Sequence, residues 1–178
     1  MNITIRTVTL ADAAAMLEIY RPYVETSHIT FETEVPSQME FKSKIEKTLK
    51  NFPWLVAEVQ GRVVGYAYAN LFRERAAYAW ALESSIYLAD HAQGRTLGVA
   101  TALYQHLFHE LREREIKQVI GVISLPNVKS VRFHEKLGFK EIGIFPSVGF
   151  KLGQWWDVLF MTKFLEELPF QAPSQSKL

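Results

Sequence analysis

Ile3, Ile5 and Thr7 alternate with Asn2, Thr4 and Arg6 at the start of the chain, a period of two that predicts a strand with one buried face. The period then lengthens. Thr9 caps a helix with Asp12 three residues on, and Ala13, Met16, Leu17, Tyr20 and Val24 recur at helical spacing to about residue 25. Residues 26–35 carry no clean period and read as a loop. Pro36 and Ser37 open a second helix whose apolar positions Met39, Phe41, Ile45 and Leu49 are separated by charge, which suits a surface helix. From Trp54 the period returns to two: residues 54–59 and 62–71 flank Gln60-Gly61, the signature of a β-hairpin, and a longer strand follows over residues 78–88. Beyond Asp90 a polar stretch leads into Val99, Leu103, Leu107 and Leu111, the core stripe of a helix ending near residue 115. Residues 119–123 are continuously apolar, as in a strand buried on both faces, so strand, helix and strand form a right-handed βαβ crossover. A shorter helix over residues 127–137 stops at Gly138, and strands over 139–145 and 154–162 close the chain.

These elements predict a mixed α/β fold: a central, mostly antiparallel sheet with one parallel pair, flanked by helices. Residues 1–168 form one domain and residues 169–178 a polar C-terminal tail. A chain of 178 residues with 48% hydrophobic and 22% charged residues suits a single core. Its formal charge of +1 arises from 20 basic and 19 acidic residues mixed along the sequence, which argues against a nucleic-acid partner. The absence of cysteine removes thiolate nucleophiles, thiolate metal sites and disulfides, and fits a reducing cytoplasm. No basic leader with an apolar run opens the chain, and no stretch of about 18 apolar residues occurs, so no membrane association is expected. The five histidines show no metal-ligand spacing, so no metal is expected either.

The stretch most informative about chemistry is Gln93-Gly94-Arg95-Thr96-Leu97-Gly98-Val99-Ala100, between a strand and an amphipathic helix. A helix N-terminus leaves backbone N–H groups unpaired and carries partial positive charge, so small residues there let a diphosphate approach, and Arg95 adds a full charge. The same residues also suit a plain strand-to-helix turn, and the loop alone does not decide between the two.

Arg95-Thr96-Leu97-Gly98-Val99-Ala100 resembles the [Q/R]-x-x-G-x-[G/A] acetyl-CoA loop of the GNAT superfamily of N-acetyltransferases. Thr96 stands where a glycine is frequent and Ala100 replaces the commoner final glycine. Nearly the whole chain resembles the phosphinothricin and methionine sulfone acetyltransferase branch. The resemblance rests on Tyr23-Val24-Glu25-Thr26-Ser27, Thr30-Phe31, Pro53-Trp54-Leu55-Val56-Ala57-Glu58, Leu125-Pro126-Asn127, His134-Glu135-Lys136-Leu137-Gly138 and Gly149-Phe150-Lys151 with Gly153, Trp155 and Asp157. It implies the GNAT fold, in which the parallel strands splay apart and the pantetheine arm of acetyl-CoA lies along residues Ser85, Ile86, Tyr87 and Leu88 as an added strand. Arg95, Thr96, Leu97, Gly98, Val99 and Ala100 would take the diphosphate, and Asn127 and Ser130 the pantetheine arm. A small-molecule, amino-acid-like acceptor and a homodimer are also implied.

Within that reading Glu83, in a mostly apolar strand segment, is the general base, since burial raises a carboxyl pKa. A solvent-facing carboxylate at a strand edge is the other reading. An N–H near Ile86 would stabilise the thioester oxygen. His134 occupies the position where relatives place a tyrosine that protonates the CoA thiolate; a lone helix histidine is more often a structural or surface residue. Asn127 is also a natural N-cap after Pro126. Arg73 and Arg75, with Tyr78 beyond them, would clamp an acceptor that carries a carboxylate and a second oxygen group, or form a solvated charged turn. Phe31, with Glu32 nearby, comes from the early loop that walls the acceptor pocket in the family. Trp155 and Trp156 read as packing or interface residues. A non-catalytic acetyl-CoA sensor and a protein or peptide N-acetyltransferase are the competing functions.

Overall fold

A computed structural model describes residues 2–89 and 97–171. The first strand, β1 (Ile3–Thr7), leads through a short 3-10 turn at Leu10–Asp12 into α1 (Ala13–Glu25). Arg6 fixes that entry: its guanidinium donates to both Asp12 oxygens at 2.8 and 2.7 Å and reaches Glu58 on the next strand. A loop then leads to α2 (Gln38–Leu49), capped by the reciprocal Ser37–Glu40 bonds that a Ser-x-x-Glu sequence supplies. The hairpin of β2 (Trp54–Val59) and β3 (Arg62–Leu71) turns at Gln60-Gly61, both at positive φ, which Gly61 adopts without steric cost.

The next strand, β4, covers Ala81–Leu88 and not residues 78–88: Ala76–Tyr78 is a 3-10 turn, so Tyr78 belongs to the β3–β4 connection. After it come α3 (Leu97–Glu113), β5 (Gln118–Leu125) and α4 (Val128–Lys136), the last with Asn127 as its N-cap. The closing hairpin is longer than its alternation predicts. The first strand, β6, spans Lys140–Lys151 and its partner β7 spans Gln154–Phe164, joined by Leu152-Gly153 at positive φ. Pro146 reads as a strand terminator in sequence, but it sits in a bulge. The register passes from Phe145 opposite Val158 to Gly149 opposite Trp156, and the Ser147 N–H is met by Asp157 Oδ1 at 2.7 Å.

The seven strands form one sheet in the order β1-β2-β3-β4-β5-β7-β6, antiparallel except for β4 and β5. One face packs on α3 and α4 through Leu82, Leu103, Leu107, Leu111 and Val119, all fully buried. The other face packs on α1 and α2 around Trp54, Tyr66, Met16, Phe41 and Ile45. Helix α2 is thus a surface helix with an apolar face against the sheet, Met39 alone among its large apolar side chains standing mostly free. No helix among the described residues is long and apolar enough to cross a membrane.

Candidate active site

The parallel strands part inside the sheet. Partners run Ala81–Gln118, Leu82–Val119, Glu83–Ile120 and Ser84–Gly121, and no pairing continues beyond Ser84 although both strands extend further. Residues Ser85, Ile86, Tyr87 and Leu88 therefore keep β3 on one side and an open edge on the other. The Ala89 N–H donates to Val64 O, so by the alternation of an antiparallel ladder the peptide groups of Ile86 and Leu88 face the opening. At Leu88 the Tyr23 hydroxyl donates to the carbonyl at 2.7 Å. The side chains of this segment are engaged elsewhere: Ile86 and Leu88 pack on the α3 core, and Tyr87 meets Tyr20 edge-on at 4.7 Å. What the segment offers to the gap is backbone, as an added extended chain requires.

At the closed end of the gap stands Glu83. Register places Asn70, Glu83, Ile120 and Thr162 in one row across four strands, on the α1/α2 face. Burial pushes the Glu83 carboxyl up from its ordinary value, and the carboxylate has no hydrogen-bond or ion-pair partner among the described residues. A half-buried carboxylate without a cation beside it is a base held ready for a proton.

On the opposite face the same point is backed by a polar chain. His134 is buried against Gly121, where an added Cβ would lie 3.1 Å from the imidazole. Its Nδ1 lies 2.8 Å from the Ser130 carbonyl, which only accepts, so Nδ1 carries the proton and Nε2 accepts from the Tyr104 hydroxyl at 3.1 Å. Tyr104 in turn meets Ser84 Oγ at 3.2 Å. His134 is therefore neither a surface residue nor open to the gap, and burial lowers its pKa. The sequence pointed to His134 and missed Tyr104 and Ser84. Their one signal was a tyrosine beside Leu103 on the core stripe of α3, whose hydroxyl needs a buried partner.

Of the expected diphosphate residues, Arg95 and Thr96 lie outside the described residues, and Leu97 begins α3. Val99 and Ala100 are buried, so only their peptide N–H groups are available to a ligand, while Gly98 is exposed at the helix start. Asn127 accepts from the Ser130 N–H at 3.1 Å, so its N-cap role is real, and Ser130 lies one turn before His134. These two and the α3 N-terminus lie at the same end of the open β4 edge.

Arg73, Arg75 and Tyr78 lie in the connection at the other end of β4, five to ten residues before Glu83 in the chain. All three are exposed. Arg73 sits over the Phe72 ring at 5.1 Å and Tyr78 meets the same ring edge-on at 6.0 Å. Neither arginine has an ion-pair partner among the described residues. Phe31 comes from the α1–α2 loop, over the far side of the same face, and seats on Gly149. Trp155 is exposed, whereas Trp156 stacks on His28 at 4.0 Å and 9°. Among the described residues no three histidine, aspartate or glutamate side chains gather as a metal site would need.

A sheet whose parallel strands part over a carboxylate, with a helix N-terminus at the open end, is matched by sequence: residues 5–160 fit the family described as Acetyltransferase (GNAT) domain. The chain belongs to the GNAT acetyltransferase family. It is 41% identical over 92% of its length to the phosphinothricin N-acetyltransferase of Streptomyces viridochromogenes, covering 88% of that protein. Against the L-methionine sulfoximine/L-methionine sulfone acetyltransferase of Salmonella typhimurium the identity is 33%, over 92% of this chain and 95% of that one. Among solved structures, a GNAT phosphinothricin acetyltransferase from Sinorhizobium meliloti in complex with acetyl-CoA superposes with a TM-score of 0.93 at 35% identity, covering 99% of this chain and 96% of the other. As a GNAT acetyltransferase the protein is an acyltransferase.

Proposed function

We propose that the protein transfers the acetyl group of acetyl-CoA directly to the α-amine of a small amino-acid-like acceptor of the phosphinothricin, methionine sulfone or methionine sulfoximine type. The observation that carries this reading is the parting of β4 and β5 beyond Ser84–Gly121, with the raised, unpartnered Glu83 carboxyl beside it. The relatives named above supply the acceptor class.

Acetyl-CoA brings the activated acyl group; the chain's own residues bind, orient and move protons. The peptide N–H groups at the start of α3, with Arg95, hold the diphosphate, because an anion at a helix N-terminus meets both unpaired donors and the positive end of the dipole. The open edge of Ser85 to Leu88 holds the pantetheine arm, joined by Asn127 and Ser130, and fits it because among the described residues no strand pairs there, the Tyr23 hydroxyl meeting only the Leu88 peptide. The Ile86 N–H, turned into the gap, stabilises charge developing on the thioester oxygen. Glu83 takes the proton of the acceptor ammonium, directly or through a water, and leaves a neutral nucleophile. Proton delivery to the departing thiolate is assigned to the chain of His134, Tyr104 and Ser84, in which His134 is neutral at rest, since burial disfavours its imidazolium, and orients the hydroxyls by accepting at Nε2 from Tyr104. Arg73 and Arg75 bind the oxygen groups of the acceptor, and Phe31 and Tyr78 bound its pocket.

The same reading includes a homodimer in the cytoplasm. Strand β6 is an edge of the sheet and exposes Ile142, Ile144, Phe145, Val148 and Phe150, apolar side chains that a second copy would cover.

The decisive assay follows release of free CoA with methionine sulfone, phosphinothricin and short peptides as acceptors. Turnover with the first two and none with peptides is expected. Turnover with peptides alone would replace the acceptor assignment, and no turnover with tight acetyl-CoA binding would make the protein a sensor. A second expectation concerns the diphosphate site. Among the described residues an added Cβ at Gly98 would meet only Ile3 Cδ1, at 3.6 Å, and an acidic residue in the first turn favours a helix, so Gly98→Asp should fold. It places a negative charge against the diphosphate and should weaken acetyl-CoA binding at least about tenfold by calorimetry.

A further inference from the structure

Four ties hold the α1–α2 loop against α1 and the sheet. Ser27 Oγ donates to the Tyr23 carbonyl at 3.0 Å, and His28 stacks on Trp156 while its Nε2 donates to the Pro126 carbonyl at 3.1 Å. Thr30 is gripped from two directions: its hydroxyl meets the Tyr20 hydroxyl at 2.7 Å, and its carbonyl accepts from Lys151 Nζ at 2.8 Å. Lys151 is buried, reaches the Tyr23 carbonyl at 3.3 Å as well, and has no ion-pair partner among the described residues. Lysine is seldom fully buried, and one held by carbonyls alone costs desolvation that two neutral acceptors offset only in part. What it does is fix the Thr30 carbonyl, and with it the loop, to β6.

The fourth tie is steric. Gly149 lies opposite Trp156 just beyond the β6 bulge, and its φ is not in the left-handed region, so backbone freedom does not explain a glycine there. Space does. A Cβ on Gly149 would lie 2.1 Å from Phe31 Cε2 and 2.3 Å from Cζ, far inside van der Waals contact. Phe31 thus packs on the β6 backbone at Gly149, at a depth only glycine permits. The bulge matters for the same reason: its two extra residues, fixed by Ser147 N–H to Asp157, bend β6 so that Gly149 and Lys151 meet the loop.

We propose that Gly149 and Lys151 are positioning residues that seat Phe31 as a preformed wall of the acceptor pocket, so that the loop selects acceptors by side-chain size without having to close over them. The inference rests on the acetyl-transfer reading above. With Phe31 seated on Gly149 the pocket takes compact polar amino acids, and removal of the ring opens room for bulky ones.

The test is a double-mutant cycle on the full chain, read in acceptor KM, kcat and acetyl-CoA affinity. Gly149→Ala must lift Phe31 off its seat and should raise the acceptor KM about tenfold or more with acetyl-CoA binding unchanged, since small displacements of a positioning contact are costly. In a Phe31→Ala background the same change should add little, because the clash is gone. An equal effect of Gly149→Ala in both backgrounds would overturn the proposal, as would an unchanged KM in the single variant. Phe31→Ala alone covers the case in which Gly149→Ala does not fold: its kcat/KM ratio for phenylalanine over methionine sulfone should rise about tenfold, and an unaltered ratio rejects the size selection. If the wild type acetylates no amino acid, the acceptor reading fails; if it does and these ratios stay put, only the present inference fails.

Discussion

Glu83→Gln is expected to lower kcat by about 10² to 10⁴, the span of a general base, while acetyl-CoA affinity stays at the wild-type level. The substitution keeps the size of the side chain and removes only its capacity to take a proton. It should not destabilise the fold, because the carboxylate has no partner to lose among the described residues and burial already disfavours its charge. The sign of the pH effect follows from the same burial. Glu83 acts as a base when deprotonated, and its pKa is raised, so wild-type kcat/KM should fall as pH drops through a value above the ordinary carboxylate range. In the variant that acidic limb should vanish and leave a low, flatter profile. A variant that keeps both the rate and the limb would remove Glu83 from the chemistry and return it to the other reading of the sequence, a carboxylate at a strand position with no catalytic part.

Arg75→Ala should reduce kcat/KM for phosphinothricin or methionine sulfone by about 10- to 100-fold, which corresponds to about 1.5–3 kcal/mol for a hydrogen bond to a charged group. The lower part of that range is favoured by exposure: the guanidinium is solvated before the acceptor arrives, so part of what it gains is returned to water. Arg75 is a cleaner probe than Arg73, which also lies over Phe72 and would take packing with it. Acetyl-CoA affinity should not change, since the β3–β4 connection and the α3 N-terminus lie at opposite ends of β4. The ratio of rates for methionine sulfone over a plain apolar amino acid should shrink, because a site that recognises oxygen groups discriminates through those pairs. Equal kcat/KM for wild type and variant would sink the clamp while leaving the acetyl-CoA assignment intact.

The two ends of the site differ in how far local pattern revealed them. The β2–β3 hairpin was readable to the residue because alternation on either side of Gln60-Gly61 is a short-range signal that tertiary contacts only reinforce. Helix α2 was equally plain from Ser37 and its spacing, as was α4 from Asn127. Strand β6 was not: Pro146 and Gly149 look like terminators, and a bulge that accommodates both depends on Asp157 from the neighbouring strand. Alternation alone carries Tyr78 into β4, because nothing in the local sequence distinguishes a strand start from the 3-10 turn that precedes it.

Local pattern carried the order and period of the elements, the parallel crossover, the family, and the residue types able to carry acetyl transfer, because these follow from spacing along one segment at a time. Tertiary structure decided how those residues serve. It set the point at which β4 leaves β5, which turns the Ile86 and Leu88 peptides outward. It put Val99 and Ala100 into the core and left them only their N–H groups to offer. It gave His134 a tautomer through Ser130 and Tyr104, and it brought Lys151 and Gly149 against a loop more than a hundred residues earlier in the chain. Each of these depends on a partner far away in sequence, and a burial, a tautomer or a van der Waals seat exists only once that partner is in place.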